Sequence, residues 1–133
     1  MIQKTYVMIK PDAVERGLVG LIVARFEAVG LRIERMEHGV VTPEQAAANY
    51  AEHEGKPFYP GLVEYITSGP VVKMVLSGPS AVPVVRKLMG ATNPADAAPG
   101  TIRGDFGLTL DANIVHGSDS PESAEREIAI FFG

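Results

Sequence analysis

An α+β fold is predicted: one four-stranded antiparallel sheet covered by helices, in the order βαββαβ with additions. Three observations lead there. Apolar runs of strand length alternate with stretches of helical periodicity, in the order β-α-β-α-β-α-β-α. Capping residues, prolines and glycines punctuate nearly every junction. The 133 residues, 46% of them hydrophobic, suit one globular unit over residues 1–133 with a real core. Pattern and propensity alone leave a parallel α/β sheet almost as compatible.

The elements follow in order. Thr5 to Ile9 is a strand ending at Lys10-Pro11-Asp12. Leu18, Leu21, Ile22, Phe26 and Val29 share one helical face, and Gly30 stops that helix. Leu31 to Val41 resumes an extended pattern. Thr42-Pro43-Glu44-Gln45 is a capping box, with Thr at N-cap, Pro at the first helical position and Gln at N3; its helix is expected to reach about Gly55. A short helix covers Pro60 to Ser68 before Gly69-Pro70 breaks it. Val71 to Leu76 is a strand, and Ser80 to Met89 a helix ended by Gly90. A long loop, around residues 91–107, carries Pro, Gly, Asp and Thr; loops of that length are uncommon in compact domains and often functional. A last strand near Asn113 leads to a helix from Pro121 to about Phe132, with Ser120 as N-cap. This order resembles the ferredoxin-like plan, whose helices are expected on one face of the sheet.

Composition removes several function classes. The net charge of −4 gives no basic face for nucleic acid. With no Cys, disulfides, thiol catalysis and cysteine metal sites are excluded. Met1-Ile2-Gln3-Lys4-Thr5 lacks the apolar core of a signal peptide, and no apolar run nears the ~18 residues of a membrane span. A soluble, cytoplasmic protein without membrane contact is expected. The sequence holds no Gly-x-x-x-x-Gly-Lys-Ser/Thr loop and no Gly-x-Gly-x-x-Gly, and His53-Glu54 is not completed to the zinc-binding His-Glu-x-x-His. His38 and His53, both isolated, are read as structural or solvated.

The most informative stretch is Asn113-Ile114-Val115-His116-Gly117-Ser118-Asp119-Ser120. It puts His116 at the end of a strand and just ahead of a helix N-terminus. Positive potential there suits a neutral, nucleophilic ring and any anion it comes to carry, a phosphoryl group included. A histidine that merely packs at a strand–helix turn is the plainer alternative. In the long loop, Thr92 and Arg103 have side chains suited to phosphate oxygens, and Arg86 lies on the helix feeding it. Each alone reads as well as a solvated surface group. Arg103-Gly104-Asp105 invites an adhesion reading, which nothing else in the sequence supports.

Seven segments together carry a family resemblance. They are Lys10-Pro11-Asp12, Arg16 to Gly20, Phe58 to Val63, Ser68 to Val72, Thr92 to Asp96, Pro99 to Phe106 and Asn113 to Ser120. In residues, order and spacing these resemble nucleoside diphosphate kinase over essentially the whole chain. The resemblance implies the ferredoxin-like α+β fold and transfer of a γ-phosphoryl group from a nucleoside triphosphate to a nucleoside diphosphate, in ping-pong fashion through a phosphohistidine at His116. It implies that Lys10, Arg86, Thr92 and Arg103 hold phosphate oxygens, and that Lys10 and Asn113 meet the ribose. Phe58 would stack on the base, with Leu62 and Leu110 as apolar walls; Leu110 stands where many relatives carry Val. Mg²⁺ would bridge the phosphates, with Asp119 reaching one of its waters. Glu127, three residues from Ala124 and four from Phe131 at the edge of an apolar helical face, would pair with Ser118 and His116. Tyr50 would line the site. A homo-oligomer, a tetramer or hexamer built from dimers, is implied as well. A phosphohistidine carrier or a ligand-binding regulatory module would use only part of this set.

Overall fold

A computed structural model of the chain describes residues 2–133. Strands β1 (Ile2–Ile9), β2 (Arg32–Val40), β3 (Pro70–Pro79) and β4 (Val115–Gly117) form one sheet in the order β2-β3-β1-β4. Every neighbouring pair is antiparallel, so the ferredoxin-like arrangement holds and the parallel alternative falls. β1 is central for a reason visible in its residues. Thr5 to Ile9 are buried at both parities of the strand, which requires cover on both faces. β2, mostly exposed, takes an edge.

Seven α-helices complete the described residues: α1 (Pro11–Glu15), α2 (Val19–Ala28), α3 (Pro43–Asn49), α4 (Tyr59–Ile66), α5 (Ala81–Met89), α6 (Ile102–Phe106) and α7 (Pro121–Phe132). They cover both faces of the sheet, not the one face expected. Val7, Ile9, Val72, Met74 and Leu76 point to a core closed by Ile22 and Phe26 of α2 and Val85 and Met89 of α5. The alternate positions, Tyr6, Met8 and Val71, point the other way, to Ala46 of α3, Ile66 of α4 and Phe131 of α7. The Tyr6 ring stacks on Phe131 with centroids 4.8 Å apart.

Other differences are local. In α2 the buried pair is Ile22 and Phe26, while Leu21 and Val29 are 55% and 50% exposed. The apolar stripe is narrower than the sequence pattern, because only side chains within one face reach the sheet. The capping box forms as expected: Gln45 N donates to Thr42 Oγ1 at 3.0 Å and Thr42 N to Gln45 Oε1 at 3.1 Å. Its helix stops at Asn49, since Tyr50 leaves helical geometry (φ −103°, ψ 18°) and the chain tightens into a 3₁₀ turn, Ala51–His53. The segment read as loop carries a 3₁₀ turn at Pro94–Asp96, capped by Asn93 Oδ1, and α6, capped by Thr101 Oγ1. Arg25 of α2 pins this segment through Asp105 at 2.6 Å and the Gly100 carbonyl at 3.1 Å. Among the described residues, no helix is long and apolar enough to cross a membrane.

The turn into α6 leaves no room at Gly104, where an added Cβ would collide with the Ala98 carbonyl and sit 2.7 Å from Thr101 Oγ1. Gly104→Ala should therefore destabilise the protein by about 1–3 kcal/mol. A urea titration checks this, and an unchanged midpoint would refute the packing described.

Candidate active site

β4 lies against β1 with His116 opposite Met8, which places the histidine on the α3/α7 face of the sheet. His116 is the middle residue of β4, not the end of a strand, because Ile114 breaks the extended run at φ +78°. Val115 N donates to the Asn113 carbonyl at 2.8 Å, closing a tight three-residue turn. A β-branched residue in that region costs about 1–3 kcal/mol and persists only where its surroundings over-determine it. Here Ile114 is fully buried, its carbonyl accepts from Lys10 N at 2.9 Å, and Arg103 brackets the turn. Arg103 Nε donates to Asn113 O at 3.2 Å and Nη2 to Val115 O at 2.8 Å, while Nη1 reaches Gly90 O at 3.1 Å.

The ring of His116 is fixed by α7. Its Nε2 lies 2.9 Å from Glu127 Oε1, and the same oxygen accepts from Ser118 Oγ at 2.7 Å. Ser118 Oγ in turn accepts from Tyr6 N at 3.3 Å. A carboxylate facing Nε2 favours the tautomer with the proton there, which leaves Nδ1 with its lone pair free. Glu127 is 4% exposed and sits with Ala124 and Phe131 on the buried side of α7, as the helical spacing suggested. Burial pushes its carboxyl upward. The hydrogen bond and charge of His116, then the Ser118 hydroxyl and Arg126, outweigh that and bring it below the usual range.

Two cavities share Tyr50 as a lining residue, and the smaller of them holds this histidine. One, of about 330 Å³, is lined by His116, Gly117, Arg86, Asp119, Glu127 and Arg126, with Tyr50 and His53 on the far wall. Arg86 is aimed by Nη1 donating to Gly117 O at 3.1 Å. Asp119 is held below the ordinary carboxylate range, first by the Ser123 hydroxyl and also by Arg86. The second cavity, about 690 Å³, is lined by Lys10, Phe58, Leu62, Thr92, Leu110 and Asn113, and again by Tyr50. Tyr50 therefore forms the wall between them. Lys10 Nζ donates to Asn113 Oδ1 at 2.6 Å, and Asn113 Nδ2 to Thr92 O at 3.1 Å. Phe58 and Leu110 stand half-exposed at the mouth.

Most residues singled out in the sequence thus line two neighbouring cavities that share Tyr50. Arg103 does not line either cavity; it lies 4% exposed beneath the histidine turn, three of its donors spent on backbone carbonyls. Burial, then the nearby Arg86 charge, pulls its guanidinium down to about 10. His53, which the sequence reads as structural or solvated, lines the smaller cavity and meets the Phe58 ring edge-on at 5.3 Å. Only its place five residues before Phe58 hinted at this. Arg126 was missed too, although it directly precedes Glu127 on the helix.

The family model described as nucleoside diphosphate kinase matches residues 3–133. The chain belongs to the nucleoside diphosphate kinase family. As a member it is an enzyme, a nucleotide-binding transferase. It is 61% identical over 130 residues to the nucleoside diphosphate kinase of Thermus thermophilus, covering 98% of this chain and 95% of that protein. With the Archaeoglobus fulgidus enzyme the identity is 60%, covering 98% and 86%. Among solved structures, the halophilic nucleoside diphosphate kinase from Halobacterium salinarum, in complex with CDP, matches at a TM-score of 0.96 and 53% identity. That match covers 99% of this chain and 88% of the other. The Aquifex aeolicus nucleoside diphosphate kinase matches at 0.95 and 41%, over 100% and 96%.

Proposed function

We propose that this member of the family moves the γ-phosphoryl group of a nucleoside triphosphate to a nucleoside diphosphate by way of His116. The single observation that carries the reading is the fixed ring: Nε2 is tied to Glu127 at 2.9 Å while the ring faces a cavity bearing Arg86. Nδ1 attacks the γ-phosphorus, an N–P bond forms, and the bond to the β-phosphate oxygen breaks as the diphosphate leaves. Positive charge gathering on the imidazole is balanced by Glu127, whose second donor, Ser118, keeps the carboxylate in place. A second diphosphate then takes the phosphoryl group by the reverse path, which is ping-pong kinetics.

The remaining residues divide by position between the two cavities. Arg86 and His53 of the smaller cavity face the phosphates, Lys10, Thr92 and Asn113 of the larger one meet phosphate and ribose, and Phe58, Leu62 and Leu110 the base, with Tyr50 between. Arg103 serves this reading from beneath, holding the strained turn that presents His116 through its bonds to the Asn113 and Val115 carbonyls. The donor set fits a Mg²⁺ carried by the nucleotide. Among the described residues no three His, Asp or Glu side chains form a metal cage, and Asp119 offers one carboxylate on the phosphate cavity. When bound, Mg²⁺ would neutralise phosphate charge. The experiment is incubation with labelled ATP and GDP: this reading requires both labelled protein and labelled GTP. A carrier would give labelled protein without GTP, and a regulatory module neither.

Broad base use follows. Discrimination beyond about 10,000-fold needs buried polar groups that a wrong base leaves unpaired. The base end offers Phe58, Leu62 and Leu110, and its one carboxylate, Asp111, is exposed. Ring stacking tolerates every base. We expect kcat/KM for ADP, GDP, CDP, UDP and dTDP to span well under that factor; a wider spread would reveal a polar reader of the base. We also propose a homo-oligomer built from dimers, tetrameric or hexameric. The open edge of β2, with Met36 and Val40 exposed, supports self-association. Light scattering tests it.

A further inference from the structure

Three residues from separate places meet beside the larger cavity. Lys10 leaves the end of β1, Asp12 stands in the first turn of α1, and Tyr65 comes from α4. The Tyr65 hydroxyl donates to Asp12 Oδ1. The Lys10 ammonium lies 6.0 Å from the centre of the Tyr65 ring while reaching Asn113 on its other side. Asp12 Oδ2 is shielded from solvent and has no protein hydrogen-bond partner. A dry carboxylate oxygen is costly unless positive charge lies near it, and the ammonium two residues away supplies that charge. The Asp12–Tyr65 contact also ties α4, which carries Leu62, to the turn that carries Lys10.

We propose that Asp12 and Tyr65 form a seat that orients the Lys10 ammonium over the nucleotide cavity, which makes both of them positioning residues for phosphoryl transfer. The inference rests on the function proposed above. Asp12 stands outside the lining of the nucleotide cavity and acts through Lys10; Tyr65, whose side chain lines that cavity, holds Asp12 through its hydroxyl. The consequence is electrostatic. Burial, then the Arg103 charge, pulls Lys10 down to about 8, and the Asp12 carboxylate opposes them. The groups facing the ammonium are Asp12 from α1, Tyr65 from α4, Arg103 from α6 and Asn113 from the turn before β4. Burial and then the bond to Asp12 push the Tyr65 phenol up, so it stays a donor at alkaline pH. A charged Lys10 is present below its folded-state value and lost above it, so activity that needs it falls as pH rises through that value. Removing the Asp12 carboxylate lowers the value further and brings the loss nearer neutrality.

The test is the pH profile of kcat/KM for nucleotide exchange in the full chain, which reports groups of the free enzyme. Asp12→Asn should move the alkaline limb toward neutrality by about one pH unit and raise KM more than it lowers kcat. Tyr65→Phe, which keeps the ring and removes the donor, should shift the limb the same way by less. Asp12→Glu should return the limb toward its original place. In Lys10→Arg, whose charge persists at all assay pH values, the limb should vanish, and adding Asp12→Asn should not restore it. If Asp12→Asn does not fold, Tyr65→Phe decides. Limbs that coincide with the unmodified protein in every variant that folds would overturn the inference alone. A lack of exchange or of phosphohistidine in the unmodified protein would overturn the function on which it rests.

Discussion

His116→Ala is expected to show no nucleotide exchange above background and no labelled protein after ATP. Of the two imidazoles that line the smaller cavity with Arg86, His116 is the one tied to a buried carboxylate. His53, the only other imidazole there, has Nε2 3.7 Å from Glu52 and no buried carboxylate behind it. The variant leaves Glu127 with one donor in place of two, so about 1–3 kcal/mol of stability should go as well. His116→Asn, which offers Glu127 an N–H of similar reach, separates the two effects: it should fold near normally and remain inactive. ADP binding should persist in both, because Lys10, Phe58 and Asn113 are untouched. Measurable exchange by either variant would sink the covalent route.

The second large effect is at Glu127. Glu127→Gln keeps the size of the side chain and an oxygen for one donor, and removes the charge that balances the imidazolium. Phosphorylation should slow roughly 10–1000-fold. Since Glu127 is proposed to act on the histidine and not on the nucleotide, kcat and kcat/KM should fall together while ADP affinity holds. Ser118→Ala should repeat the pattern more mildly, by about tenfold, through one lost hydrogen bond to a carboxylate. Stopped-flow measurement of the phosphorylation half-reaction reads both. A rate unchanged in Glu127→Gln would reduce that carboxylate to a helix charge.

Much of the local structure around this site is legible in the sequence. Thr42 and Gln45 announced a cap that forms as written, Ser120-Pro121 marked the start of α7, and the spacing of Ala124, Glu127 and Phe131 placed a carboxylate on a buried face. Those signals are local, and local hydrogen bonding decides them. What the sequence hid depends on contacts distant along the chain. The second covered face follows from Tyr6 meeting Phe131, more than a hundred residues away. The turn at Ile114 is unreadable in a β-branched residue, since its geometry is imposed by Arg103 and Lys10 rather than chosen by isoleucine. Leu21 and Val29 look like core by periodicity and are surface, because periodicity gives a stripe's direction but not its width. His53 is isolated in sequence, whereas its neighbours at the smaller cavity come from α3, α5, β4 and α7.

The most direct test of the central claim is the fate of the phosphoryl group on the unmodified protein. Incubation with ATP and no acceptor, followed by peptide mass mapping, should find one phosphoryl group on His116, labile in acid and stable in alkali. Adding GDP should discharge it and yield GTP in equal amount. A phosphoryl group on another residue, or GTP formed while His116 stays unmodified throughout, would contradict the account.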